Sequence, residues 1–216
     1  MKNFFSLKRS RLLVVIILTI CLTGGVAAYA QSKATYDPDR IYAAIDKSYT
    51  GITEYADKVK TQNGRLALSD IENVITTVTF AEKLSFSEIE GFVTKYDIEP
   101  VQLQARGLMP DGTKITIFSR TDKGFEETKA LLLQQAEEEG YEFIGFIGMN
   151  AMIDARNLKE VETDALTYLA DTSGDRFFRA SKETDGFKRN NLMEGKRGGM
   201  FPQSLAWDLE ELGLQK

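Results

Sequence analysis

A five-residue turn near the middle of the chain constrains the fold more than any other feature. In the segment 109–113, Pro110 presets φ, Asp111 can bond its own backbone, and Gly112 tolerates a positive φ. The segments on either side, 101–108 and 114–119, alternate apolar and polar residues, as the two strands of a hairpin do. The residues therefore predict a β-hairpin in which the two strands meet at this turn.

The patterns that flank the hairpin predict the rest of the domain. A helical pattern lies on each side of it, and a strand-like run lies beyond each helix, at 74–80 and 141–153. The first helix opens with the capping box Ser85-x-x-Glu88, and Gly140 fits the C-cap of the second. The order strand, helix, strand, strand, helix, strand predicts a ferredoxin-like βαββαβ sheet in an α+β domain over residues 66–171, with helices on one face.

Two further segments extend this order. Residues 141–153 are apolar on both faces, which favours a central strand, and a brief helix at 155–162 follows with Asp154 as its cap. Residues 166–170 then predict a fifth strand at an edge of the sheet.

An arm is predicted on each side of this domain. Residues 31–65 comprise a polar linker and an amphipathic helix that starts at Asp37-Pro38, weakens at Gly51 and ends in the polar cluster 61–64. Residues 172–216 comprise a flexible connection and a short C-terminal helix that carries Trp207, the chain's one tryptophan. We expect Trp207 to dock this tail on the domain, or to contact a partner.

The N-terminus predicts export. Four basic residues precede an apolar run that reaches Ala28-Tyr29-Ala30, which has the small-x-small form of a signal-peptidase site. Residues 1–30 are therefore a signal peptide cleaved after Ala30, or a transmembrane signal anchor at 12–30. The bulky Ile20 before Cys21 argues against a lipoprotein. The protein is expected to be secreted, or to be a single-pass protein of the cell membrane with an extracytoplasmic domain.

Composition excludes several chemistries. The chain contains no histidine, so the commonest general base and metal ligand is absent, and its one cysteine, Cys21, lies in the N-terminal segment. Residues 31–216 contain 23 Lys and Arg and 32 Asp and Glu, which gives a net charge of −9. This charge disfavours nucleic acid as a partner, and no metal site or cofactor is predicted.

Two local motifs suggest chemistry without completing it. Residues 171–175 resemble the Asp-Thr-Gly loop of aspartic proteases, but Ser173 interrupts the motif and the chain has no second copy. An Asp/Gly turn is the preferred interpretation over a calcium loop. The basic segment 195–199 does not lie between a strand and a helix, so a surface loop is preferred over a phosphate site. We predict no catalytic residue.

The expected contact surfaces are the semi-polar sheet face and the tail. The candidate binding residues are Gln102, Gln104, Arg106, Phe118 and Trp207. The leading hypothesis is an exported, non-catalytic module that binds another extracytoplasmic protein or senses a ligand, with the membrane as a further contact if residues 12–30 are retained.

Two alternatives stay open. The order strand, Gly-containing strand, short helix and edge strand, from Ile144 to Ala170, is similar in outline to subtilisin-type propeptide inhibitors, whose domains are ferredoxin-like. This resemblance implies a protease inhibitor or an intramolecular chaperone. The other alternative is a histidine-free hydrolase that uses a pair of carboxylates.

Overall fold

The computed structural model describes residues 38–176, 179 and 201–215, with side chains from residue 41 onward. The predicted export segment, the Asp37 cap and most of the predicted connection lie outside these residues. In chain order the elements are α1 Pro38–Ala43, α2 Tyr49–Leu66, β1 Val74–Leu84, α3 Phe86–Lys95, β2 Glu99–Leu108, β3 Lys114–Arg120, α4 Phe125–Glu139, β4 Glu142–Ile153, α5 Ala155–Thr163, β5 Thr167–Asp171 and α6 Ala206–Glu211.

All five strands form one antiparallel sheet in the order β3-β2-β4-β1-β5. The mixed helix and strand architecture is confirmed, and so are the central β4 and the edge strand β5. The ferredoxin-like prediction is wrong, because that fold places the second hairpin strand between the first two strands. Here β4 takes that position and β3 lies at the edge. Every residue of β4 from Gly145 to Ile153 is buried, whereas β3 buries only Ile117.

Three helical crossovers build this sheet. Helix α3 joins β1 to β2 across β4, α4 joins β3 to β4 across β2, and α5 joins β4 to β5 across β1. Each crossover connects parallel strands that have one antiparallel strand between them, which is the split βαβ arrangement. The three helices pack on one face of the sheet. The apolar core there includes Val78, Phe80, Ile89, Phe92, Leu103, Ala105, Ile117, Leu132, Phe146, Met149, Ile153, Leu158, Val161 and Ala170.

The predicted turn and caps are present. Gly112 has a φ of 86°, and the Asp111 side chain accepts from the Thr113 backbone at 2.9 Å. Ser85 and Glu88 form the reciprocal capping box at the start of α3, and Gly140 ends α4 in the left-handed conformation.

The predicted N-terminal helix is two helices, with a break at residues 44–48. Ser48 caps α2, so Gly51 lies in its first turn instead of mid-helix, and a Cβ on Gly51 would lie 2.4 Å from Asp46. The polar cluster 61–64 does not end the helix. The Asn63 side chain donates to the Ala170 carbonyl at 2.6 Å and to Glu162 at 2.8 Å, so it does not compete with the helix backbone.

The second face of the sheet is covered by residues 201–215, which we call the C-terminal arm. Buried Leu205 and Leu209 of the arm pack with Leu169 of β5 and with three residues of α2, namely Ile52, Ala56 and Val59. The sheet face that the sequence predicts to be exposed is therefore largely shielded.

Across the described parts of residues 38–215, no helix combines the length and the apolar character needed to span a bilayer.

Candidate functional site

Polar side chains run in rows across the arm-covered face of the sheet. The strand registers place Gln102 and Thr77 on either side of Asn150, and Gln104 and Thr79 on either side of Gly148. In an antiparallel sheet, residues paired directly across strands share a face, so each row lies under the arm. This face carries amides and hydroxyls where the other carries the apolar core.

The centre of this face is a chain of hydrogen bonds that we call the amide ladder: Thr77, Asn150, Gln102 and Gln104. The Asn150 carbonyl accepts from the Thr77 hydroxyl at 3.0 Å and from the Gln104 amide at 3.2 Å. The Asn150 amide nitrogen donates to the Gln102 carbonyl at 3.0 Å. Gln104 and Asn150 are buried, so these bonds satisfy polar groups that would be costly to leave unpaired.

Beside the ladder lies a buried ion pair between β2 and the arm. The Arg106 side chain is 1% exposed and lies 3.0 Å from the Glu210 carboxylate through Nη2. Its Nε donates to Glu210 at 3.2 Å, and its Nη1 donates to Thr116 at 2.6 Å. Lys83 and Lys114 contact the same carboxylate at 3.2 and 3.5 Å. The pair ties the arm to the sheet through charge.

The surroundings of Glu210 favour its ionised form. Burial alone would raise the pKa of this carboxyl group, but the hydrogen bonds and charges of Arg106 and Lys83 outweigh burial and leave the pKa below its ordinary value. Glu210 therefore stays charged and paired near neutral pH.

Trp207 does not anchor the arm by burial. Its side chain is 42% exposed, its ring lies 4.6 Å over the Arg106 guanidinium, and its Nε1 donates to Glu211 at 2.6 Å. The docking function that the sequence assigns to Trp207 belongs instead to Leu205 and Leu209, which are buried. Trp207 covers a cation and presents the rest of its ring to solvent.

Helix α1 holds the arm from the other side. Tyr42 donates to the Asp208 carboxylate at 2.7 Å, and Lys47 lies 3.5 Å from the same carboxylate. Burial, followed by the hydrogen bond to Asp208, raises the pKa of Tyr42. The residues before the sheet and those after it are thus joined at the edge of the polar face.

These elements enclose a partly open cavity of about 390 Å³ between the sheet and the arm. This volume lies in the range of small-molecule sites, and the walls combine six apolar side chains with eight polar ones. The lining residues are Tyr42, Gln102, Gln104, Arg106, Thr116, Phe118, Ile147, Asn150, Phe201, Pro202, Gln203, Ser204, Ala206 and Trp207.

The structure brings all five predicted binding residues, Gln102, Gln104, Arg106, Phe118 and Trp207, to the wall of this one cavity. Whether they bind a ligand stays a prediction. Sequence reasoning missed Asn150, Thr77 and Glu210. Asn150 carries a signal that could have found it, since it is a polar residue inside an otherwise apolar stretch of β4, whereas Thr77 is one of three threonines in β1. Glu210 carries no such signal.

The segment 171–175 is not the predicted Asp/Gly turn, because Asp171 ends β5 and residues 173–176 are helical, and its side chains have a structural role. Asp171 accepts from the Tyr55 hydroxyl at 2.5 Å and from the Ser173 backbone at 2.8 Å. Asp175 accepts from the Ile75 backbone at 3.1 Å and thus holds β1. Among the described residues, no group of three or more acidic, histidine or cysteine side chains is placed to hold a metal ion.

Two alternative functions find little support at the site. No Asp or Glu is among the residues that line the cavity, so its walls offer no carboxylate pair for a hydrolase. The likeness to propeptide inhibitors rests on a ferredoxin-like strand order, which this sheet does not have.

Comparison with protein-family models, with curated proteins and with solved structures found no match to this chain.

Proposed function

We propose that this chain is an exported, non-catalytic module that binds a small neutral ligand in the cavity between the sheet and the C-terminal arm. The observation that carries the proposal is the cavity of about 390 Å³ itself. It combines the amide ladder at its floor with two exposed aromatic side chains, Phe118 and Trp207. A concave site in which aromatic side chains lie beside oriented polar groups can hold and orient a ligand.

The charges at the cavity favour a neutral ligand. Arg106, the charged side chain in the lining, is already paired with Glu210 at 3.0 Å. An anion would have to compete with this carboxylate for the guanidinium. Binding of another protein through the sheet face is less favoured, because the arm covers most of that face. Export is supported by the N-terminal sequence alone.

The single tryptophan provides the test, because it lines the cavity and reports on it directly. Small neutral and charged compounds are titrated into the full-length protein while the emission of Trp207 is recorded. We expect at least one neutral compound to give a saturable change. A panel in which no compound does so would contradict the proposal.

Phe118→Ala separates cavity binding from effects elsewhere. Phe118 is 58% exposed, so its removal should hardly change stability but should weaken binding by removing one wall contact. The matched control is Leu133→Ala, another exposed apolar residue, on α4 away from the cavity. Equal affinities of the two variants would place the ligand outside this site.

A further inference from the structure

The hydrogen bonds inside the cavity wall restrict what a ligand can be, and this inference rests on the proposed function. Several polar groups of the lining are already paired within the protein. Tyr42 donates to Asp208, Arg106 bonds Glu210 and Thr116, and Ser204 bonds Thr79. These groups retain little capacity for a ligand.

Gln102 and Gln104 each keep one half of the side-chain amide unpaired. The Gln102 carbonyl accepts from Asn150, so its NH₂ group has no partner among the described residues. The Gln104 NH₂ group donates to Asn150, so its carbonyl has no partner there either. Because the two glutamines are two residues apart on β2, they lie on the same face. The floor thus offers a free hydrogen-bond donor beside a free acceptor.

The direction of the ladder is decided at Thr77. Its hydroxyl has one proton, and two oxygens lie within reach, Asn150 Oδ1 at 3.0 Å and the Pro202 carbonyl at 2.8 Å. If the proton goes to Pro202, Asn150 must turn its NH₂ toward Thr77, and both glutamine amides turn with it. In either direction, one glutamine presents a donor to the cavity and the other presents an acceptor.

We propose that the cavity binds a neutral carboxamide that carries an apolar group. A carboxamide has one acceptor and an N–H donor in the same plane, so it can satisfy both glutamines. A carboxylate or phosphate offers only acceptors, and an ammonium or amidinium offers only donors. Each of these ions would place an acceptor against the glutamine acceptor, or a donor against the glutamine donor.

The rest of the wall selects the apolar part. The apolar part of the wall consists of side chains that cannot bond a hydroxyl: Ile147, Phe201, Ala206 and Phe118. The Trp207 indole also lines the cavity, but its N–H is already bonded to Glu211. A sugar would bring several hydroxyls to a site in which Tyr42, Arg106 and Ser204 are already bonded within the protein. Most of these hydroxyls would lose water without replacement, so a carboxamide is favoured over a sugar.

The test uses four probes with the ¹⁵N-labelled full-length protein: benzamide, benzoate, benzamidinium and methyl α-glucoside. The first three share a ring and differ only in donors and acceptors. Side-chain amide signals of Gln102 and Gln104 and the indole signal of Trp207 report on the cavity. We expect benzamide to shift these signals and to bind about fivefold or more tightly than either ion, because each ion leaves a hydrogen bond unmade.

Two outcomes overturn the inference in different ways. If benzoate, benzamidinium or the glucoside shifts the cavity signals as strongly as benzamide, the ligand class is wrong but the cavity remains a binding site. If none of the four probes shifts them, the carboxamide inference falls, and the proposed function then depends on the wider compound panel.

Variants connect binding to the ladder. Gln104→Leu should weaken benzamide binding about fivefold or more, whereas the control Gln62→Leu, which changes a glutamine on α2 outside the lining, should not. Thr77→Val should also weaken it, because Asn150 loses its anchor. Thr76→Val is the matched control, since Thr76 pairs with the core residue Ala151 on the other face of the sheet and its hydroxyl bonds the Val74 carbonyl. Equal affinity of the two threonine variants would overturn the role of the ladder.

Discussion

Glu210 offers the sharpest test of how the arm is held on the sheet. Its carboxylate is 5% exposed, and it pairs with an Arg106 guanidinium that is 1% exposed. Replacing Glu210 with Gln keeps the shape and removes the charge, which leaves Arg106 buried without a counter-ion. Breaking a buried ion pair by removing one partner costs about 3–5 kcal/mol of unfolding free energy. The contacts to Lys83 and Lys114 are more exposed and add about 1 kcal/mol at most.

The expected loss of unfolding free energy for Glu210→Gln is therefore about 3–5 kcal/mol. Urea denaturation followed by far-ultraviolet circular dichroism measures it, with Glu211→Gln as the control on the same helix. The double variant Arg106→Met with Glu210→Leu removes both charges and should be much less destabilised than Glu210→Gln. A loss below about 1 kcal/mol for Glu210→Gln, or a double variant as unstable as the single one, would refute the buried pair.

Three further predictions follow from the packing and the charges. Leu209→Ala should lower the unfolding free energy by about 2–5 kcal/mol, because Leu209 is fully buried. Leu212→Ala should lower it by much less, because Leu212 is 36% exposed. Equal losses for the two variants in a thermal or urea melt would contradict the docking of the arm. Ser85→Ala should lower the unfolding free energy by about 1 kcal/mol, because it removes the N-cap of α3. Ser87→Ala, two residues further along the chain, leaves this cap in place and should lower it clearly less in the same assay. Because the pKa of folded Glu210 is lowered, its contribution to stability is present above the ordinary value of 4.5 and is lost as pH falls through the folded value. Trp207 emission should therefore show the arm loosening under acidic conditions in wild type, and a Glu210→Gln variant with the same acid transition would contradict this.

Local patterns predicted the elements but not their neighbours. Turn chemistry at Asp111 and Gly112, the capping box at Ser85 and the left-handed end at Gly140 all act within a few residues, so the sequence carries them in full. The order of strands depends on which surfaces fit together over long separations. The double-sided apolar character of β4 did indicate a central strand, and that observation already conflicted with the ferredoxin-like order.

Bulges also limited the prediction of faces. Strict alternation along 101–108 would place Val101 on the same face as Leu103. The register of β2 with β4 shifts between Pro100 and Gln102, so Val101 packs against Ile75 and Met152 on the arm-covered side, whereas Leu103 lies in the core on the other face. An extra residue in a strand moves the following side chains to the opposite face of the sheet, and an alternation pattern does not predict where such a residue occurs.

The candidate site was half visible in the sequence. Alternation along β2 placed Gln102, Gln104 and Arg106 on one face, and the structure agrees. The missing half is the arm, which begins 99 residues after Gln102 in the chain. Only the folded chain shows that Glu210 meets Arg106 and that Pro202 meets Thr77.

The most direct test of the central claim, that the amide ladder under the arm binds a carboxamide, is a titration of benzamide followed by Trp207 emission in wild type and in Gln104→Leu. The account predicts a saturable change in wild type and an affinity about fivefold or more weaker in the variant. No change in wild type, or the same affinity in both proteins, would contradict it.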